Sequence, residues 1–167
     1  MSSRYRNTTW SHIAKAGFVS VAVALAASAA RAGECPTDKR VPDGQGQKMS
    51  TAAAKGVKDV VRASTPLANE APGLKSHLFR FRQLDIEPGG IVPWHSHDER
   101  PAHIYVVRGS IIEYASSCAV PIQHKEGDIA SERRGTSHWW QNTTTEPVTL
   151  ISVDIFHDKA GADAKMM

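Results

Sequence analysis

The stretch Gly89-Gly90-Ile91-Val92-Pro93-Trp94-His95-Ser96-His97 decides how the rest of the chain is read. Residues i and i+2 of an extended segment point to one face, about 6.5 Å apart at a rise of about 3.3 Å per residue. His95 and His97 have that spacing, so their imidazoles can converge on one metal ion. A helix would need i and i+4, and Pro93 with Gly89-Gly90 opposes a helix here. The competing reading of the pair is a solvated strand face that carries two histidines. The residues around it have to decide.

Working outward, the neighbouring segments read as short strands. His77 to Ile86 interleaves Leu78, Phe79, Phe81, Leu84 and Ile86 with Arg80 and Arg82, an imperfect alternation. Glu87-Pro88-Gly89-Gly90 predicts a turn, and Ile91 to His97 a second strand. His103 to Tyr114 is rich in Ile, Val and Tyr, with Gly109 marking a turn between two strands. Pro121 to His124, Gly127 to Glu132, His138 to Gln141 and Pro147 to Phe156 complete the set. Many short strands without helical periodicity predict an all-β sandwich or barrel in a single domain. Upstream, Gly33 to Gln47 is polar and rich in Gly and Pro, and reads as an irregular arm. Ser50 to Ala63 fits a helix face or a short strand equally, and Ser64 to Gly73 reads as a loop. The expected layout is therefore an arm over 33–76, a barrel over 77–157 and a disordered tail over 158–167.

The first 32 residues have a different character. Arg4, Arg6 and Lys15 precede a short apolar run from Phe18 to Ala30, and Ala30-Arg31-Ala32 supplies small residues at a cleavage site. That is the layout of a secretory signal peptide, too short in its apolar part to span a bilayer comfortably. A periplasmic or secreted protein, with no membrane attachment once the leader is removed, is expected. Without residues 1–32 the chain keeps 16 basic against 17 acidic residues, so no basic excess remains to attract nucleic acid. Cys35 and Cys118 both lie beyond the leader, and in an oxidising compartment they can pair. Two free thiols are the alternative, and their spacing excludes a zinc-type cysteine cluster.

A second motif follows the first. Gly89, five residues and His95-Ser96-His97 lead to Gly109; Gly127, five residues, Arg133-Arg134-Gly135, two residues, His138, three residues and Asn142 come next. This pair of motifs, in this order and separation, resembles the cupin superfamily, closely over Gly89 to Asn142 and by strand pattern over Leu78 to Phe156. The resemblance implies a cupin β-barrel, a double-stranded jelly roll, with a metal inside. It implies three ligands, His95, His97 and His138. Two positions depart from the family pattern: Arg133 replaces a turn proline, and Ala102 stands where the family carries a glutamate ligand.

The fourth coordination place is left to Glu99, His103, Glu132, water or substrate. Glu99 has suitable chemistry in the wrong register, and alternation turns His103 to the opposite face. Three imidazoles suit one divalent transition metal without choosing among Fe, Mn, Zn, Ni and Cu. Trp140 and Asn142 share the face of His138 and are expected to wall a substrate pocket, whereas Trp139 points away. Glu99, Glu132 and His103 are the candidate bases. Arg100, Arg133 and Arg134 lie near the mouth by sequence and can bind a carboxylate, although exposed, solvated arginines are the commoner case; His124 is expected at the surface. No phosphate loop, serine nucleophile elbow or paired catalytic carboxylates occur, so activity has to come from the metal. The function expected is a metal-dependent enzyme on a small organic molecule, with oxygenase chemistry leading and an isomerase next. A non-catalytic ligand-binding or sensing module is the alternative. The expected partner is a small molecule, with a homodimer allowed for.

Overall fold

A computed structural model describes residues 33–158. The expected leader and residues 159–167 of the expected tail lie outside them. Among the described residues the only helical element is a short 3-10 turn, Thr37–Lys39, and the rest is β structure, as the strand pattern requires. Eight strands form one nearly closed sheet: β1 (Lys55–Pro66), β2 (His77–Ser96), β3 (Ala102–Arg108), β4 (Ser110–Ala115), β5 (Ile122–Lys125), β6 (Ile129–Glu132), β7 (Ser137–Gln141) and β8 (Val148–His157). The order is β5-β4-β7-β2-β8-β3-β6, with β1 added against β2.

β2 joins the two halves of the barrel. Its first part, His77 to Ile86, pairs antiparallel with β8, and its last part, Ile91 to Ser96, pairs with β7. The residues expected to form a turn, Glu87 to Gly90, instead lie within this one strand. Gly89 has φ +72°, a left-handed conformation that glycine adopts without a Cβ clash, and Asn142 N–H reaches the Gly90 carbonyl at 3.0 Å. The chain bends there and changes partner without reversing direction. Gly109, with φ +88°, makes the expected tight turn between β3 and β4.

β1 settles one ambiguity and corrects one expectation. Of the helix face or short strand allowed for Ser50 to Ala63, the strand forms, and Ser64 to Pro66, expected in a loop, continues it antiparallel to β2. Most of β1 is exposed, so no core contact imposed an apolar alternation on its sequence.

The inward faces of the other strands alternate as a half-buried sheet requires. Ile86, Val106, Ile111, Trp140, Val148 and Leu150 pack together as the apolar core. Ile86 and Val148 are cross-strand partners and both fully buried. Each such side chain contributes about 1.5–3 kcal/mol, and Ile86→Ala would cost about 2–5 kcal/mol. Beyond this core the interior turns polar. Arg80 pairs bidentately with Asp154 at 2.9 and 2.6 Å, and Arg82 bridges Asp154 and Asp59.

The arm is bound to the barrel. Cys35 and Cys118 form a disulfide, with Cα atoms 5.8 Å apart. Val41 and Gly46 donate backbone hydrogen bonds to Ser117 and Ser116 at 3.0 and 2.7 Å. A Cβ on Gly46 would lie 2.4 Å from the Cys118 carbonyl oxygen, so only glycine permits this approach.

Candidate metal centre

His95, the last residue but one of the long strand β2, lies directly opposite His138 on β7, after a register shift that follows Val92. His97 lies one residue beyond β2, its N–H held by the Thr136 carbonyl at 3.0 Å. The three Nε2 atoms form a triangle with every side 3.1 Å. Each Nδ1 meets an oxygen that can only accept: Pro93 O at 2.9 Å from His95, Arg100 O at 2.7 Å from His97, and Glu113 Oε1 at 2.7 Å from His138. These acceptors assign the ring proton of each histidine to Nδ1. Three Nε2 lone pairs therefore face one point, an arrangement that repels itself unless a cation sits among them; the Trp140 indole N–H lies 3.4 Å from Nε2 of His138. Metal–nitrogen bonds of about 2.0–2.1 Å place all three donors within reach of a single ion. The donor set fits a divalent transition metal.

The electrostatics agree with neutral rings at two of the three positions. Burial, reinforced by His138 and His97, holds His95 well below the usual histidine pKa. Burial, His138 and Arg100 lower His97 to about 3. His138 differs. Burial opposes its charged form, but Glu132 and Glu113 outweigh burial and raise its pKa.

Glu113 is the main site residue that the sequence reading missed. It lies on β4, buried, and its two carboxylate oxygens accept from His138 Nδ1 at 2.7 Å and His124 Nε2 at 2.8 Å. Those hydrogen bonds outweigh the cost of burial, so its pKa is lowered. A signal was present: Ile111, Glu113 and Ala115 alternate on one face, so a carboxylate stood in an inward series. The same reasoning corrects His124. It was expected at the surface, but it follows Ile122 on the inward face of β5 and is fully buried. It also stacks on Trp140 with ring centroids 4.5 Å apart.

The candidates for a fourth ligand do not join the triad. Glu132 is buried, but its carboxylate approaches Nδ1 of His138 at 3.4 Å. With Glu113 and His138 it forms a second donor cluster, separate from the three Nε2 atoms. Burial first and Glu113 second raise its pKa. Glu99 is exposed, belongs to neither cluster, and lines an outer cleft with His95, Arg100 and His157. His103 is exposed on the outer face, 3.3 Å from Ser131 Oγ, as strand alternation requires. Ala102 faces inward between its cross-strand neighbours Glu132 and Asp154. Among the described residues the triad therefore has no carboxylate ligand, and it faces a chamber.

That chamber is lined by Arg82, Val92, Arg100, Ile104, Trp140 and Leu150 beside the three histidines. Trp140 takes its expected place in the wall. Asn142 does not, although it is buried on the same face. Its amide donates to the carbonyls of Ile86, Glu87 and Glu146, and its Oδ1 accepts from Thr144, so it ties down the β7–β8 turn. Trp139 faces away and stacks on Tyr114 at 4.1 Å. Arg133 lines a second cavity, between arm and barrel, together with Arg134, which also borders an outer cleft. His77 and His157, to which no role was given, stack on each other at 4.5 Å.

Residues 82–154 match the model of the family described as Cupin domain. That match and the jelly-roll fold together support the cupin superfamily. Two similar proteins come from plants. One is auxin-binding protein ABP19b of Prunus persica, 30% identical over 68% of this chain and 64% of its own length. The other is nectarin-1 of Nicotiana langsdorffii x Nicotiana sanderae, 25% identical over 71% of this chain and 53% of its own. The chain thus spans between half and two thirds of the length of these relatives. Among solved structures, a predicted oxalate decarboxylase from Thermotoga maritima superposes with a TM-score of 0.51 at 18% identity. It covers 74% of this chain and 98% of its own, and at that identity the likeness is one of fold.

Proposed function

We propose that this protein is an exported, metal-dependent enzyme acting on a small organic molecule, with oxygenase-type chemistry as the leading class. The observation that carries the metal reading is the triangle of three converging Nε2 atoms, 3.1 Å apart, each ring fixed by an acceptor on its Nδ1. Three protein ligands with a remaining place open towards a chamber fit a catalytic site better than a closed structural one. A bound divalent transition metal would supply Lewis acidity and, if redox-active, dioxygen chemistry.

The chain's own residues supply the rest. Glu113 holds the ring of His138 in one orientation from behind. Glu132, whose pKa burial and Glu113 raise, lies 3.4 Å from His138 Nδ1 and is placed to exchange a proton beside the triad. Val92, Ile104, Leu150 and Trp140 give the chamber an apolar wall against which the hydrocarbon part of a substrate can pack. The test is metal analysis of untagged protein, followed by oxygen-consumption and product assays over a panel of small molecules. Turnover that follows metal content supports the reading, and a metal-loaded protein that only binds ligands opposes it.

A second reading, a non-catalytic module that binds or senses a small ligand, is favoured by Ala102 at the family's carboxylate position. The relative named for binding auxin is consistent with it. Export is supported by the leader-like sequence of residues 1–32 and by the Cys35–Cys118 disulfide, a bond at home in oxidising compartments. Mass spectrometry should find Gly33 at the mature N-terminus. Intact protein beginning at Met1 in the soluble cytoplasmic fraction would oppose export.

A further inference from the structure

Three arginines, Arg80, Arg82 and Arg100, gather beside the triad, and they are not partnered alike. Arg80 is taken up by Asp154 in a bidentate pair, and Arg82 is shared between Asp154 and Asp59. These two aspartates also act on Arg100, the third arginine of the group, together with the like charges of Arg82 and Arg80. Among the described residues, the Arg100 guanidinium makes no hydrogen bond and no ion pair, although its backbone carbonyl accepts from His97. Arg80 and Arg82 thus engage Asp154 and Asp59 directly, whereas Arg100 reaches the carboxyl groups around it, Glu132 included, only at a distance. Arg100 lies in the wall of the chamber that holds His95, His97 and His138. Its field is felt at the triad, where it helps to keep His97 neutral.

A partly desolvated guanidinium without a partner is costly, and the usual remedy is a bound anion. Guanidinium geometry matches a carboxylate, which it can grip with two parallel hydrogen bonds. Apart from the histidines, most of the remaining wall is apolar, with Val92, Ile104, Trp140 and Leu150, and it also carries Ser152 and Arg82. Arg82 is already held by Asp59 and Asp154, so a second charge placed against this wall would find no free counter-charge. We propose that the chamber takes an organic monocarboxylate, its carboxylate on Arg100 and its apolar part against Val92, Ile104, Leu150 and Trp140. This rests on the metal-centre reading for its functional meaning, since it names the class of molecule presented to that centre. It rests on Arg100 and the apolar wall for its physical basis.

The experiment titrates the protein as purified with butanoate, butanamide and acetate, and measures metal content on the same samples. Trp140 lines the chamber, so tryptophan fluorescence reports occupancy, with ligand-observed NMR as a second readout. Butanoate should bind at least about tenfold more tightly than butanamide, which keeps the shape and loses the charge. It should also bind more tightly than acetate, which keeps the charge and loses the apolar part. Arg100→Gln should lose at least about tenfold in butanoate affinity, leave butanamide unchanged and retain the wild-type metal content. Arg100→Lys should recover part of the loss, which a merely misfolded Gln variant would not predict.

Equal binding of butanoate and butanamide, or undiminished butanoate binding by Arg100→Gln, overturns the proposal. So does acetate binding as tightly as butanoate. A metal-free protein that still binds butanoate through Arg100 would remove the metal reading and leave this one standing. A metal-loaded protein without carboxylate preference would do the reverse.

Discussion

Nδ1 of His138 donates to Oε1 of Glu113 across 2.7 Å, and this contact fixes which nitrogen of His138 is left for a metal. The other carboxylate oxygen is held by His124, so Glu113 cannot turn away without leaving a buried histidine unpaired. Removing an outer partner of this kind commonly weakens metal affinity about 10–100-fold. Glu113→Gln should show a loss of that size in chelator competition, with the far-UV spectrum unchanged. Glu113→Ala, which strands two buried histidines, should in addition cost about 3–5 kcal/mol in denaturant unfolding. Wild-type affinity in Glu113→Gln would mean that His138 is oriented by something else.

Stability of the metal-free protein should depend on pH through His97. Its folded pKa is about 3, below the ordinary 6.5. Between those values the unfolded chain takes up a proton that the folded chain refuses, so stability falls as pH falls from about 6.5 towards 3. The slope in wild type should exceed that of His97→Asn by up to about 1.4 kcal/mol per pH unit. Denaturant melts at closely spaced pH values check this, and parallel slopes for the two proteins would contradict it.

Much of the site was legible because strand alternation acts on every residue alike. His95, His97, His138 and Trp140 were placed on one face by counting in twos, and His103 was turned outward by the same rule. The partners of His138 were not read, because Glu113 and His124 come from β4 and β5, and only the pairing of those strands with each other and of β4 with β7 brings them to it. β1 was obscure for a different reason: an exposed edge strand is under no demand to alternate. Asn142 shows the limit of the rule. Its face was right, but a side-chain amide next to a turn bonds to the turn's own backbone before it reaches a pocket.

The disulfide ties the arm to the barrel across a sequence separation of 83 residues. In the chain-entropy account, closing a loop of that order stabilises by roughly 4–5 kcal/mol. Reduction, or replacement of both cysteines by alanine, should lower stability by up to that amount and make the segment before Lys48 sensitive to protease. Unchanged melting and unchanged proteolysis would show that backbone hydrogen bonds alone hold the arm.

Ala102→Glu, which restores the family's carboxylate, carries a cost that the register makes plain. The new side chain would stand between Glu132 and Asp154 on the inward face. Like charges on opposed strand positions are destabilising. The single variant should therefore melt earlier than wild type. Combined with Glu132→Gln it should recover, and it should then bind oxygen-preferring Mn(II) or Fe(II) more tightly. A single variant as stable as wild type would show that the carboxylates avoid one another.

The central claim is that His95, His97 and His138 together hold one metal ion, and elemental analysis of untagged protein tests it most directly. The protein should carry about one equivalent of a divalent transition metal, and His95→Ala or His138→Ala should lose it, because three ligands leave little redundancy. Wild-type protein that contains no metal, and takes up none on dialysis against Zn, Fe, Mn, Ni or Cu, would contradict the account. So would a His138→Ala variant that keeps its metal undiminished.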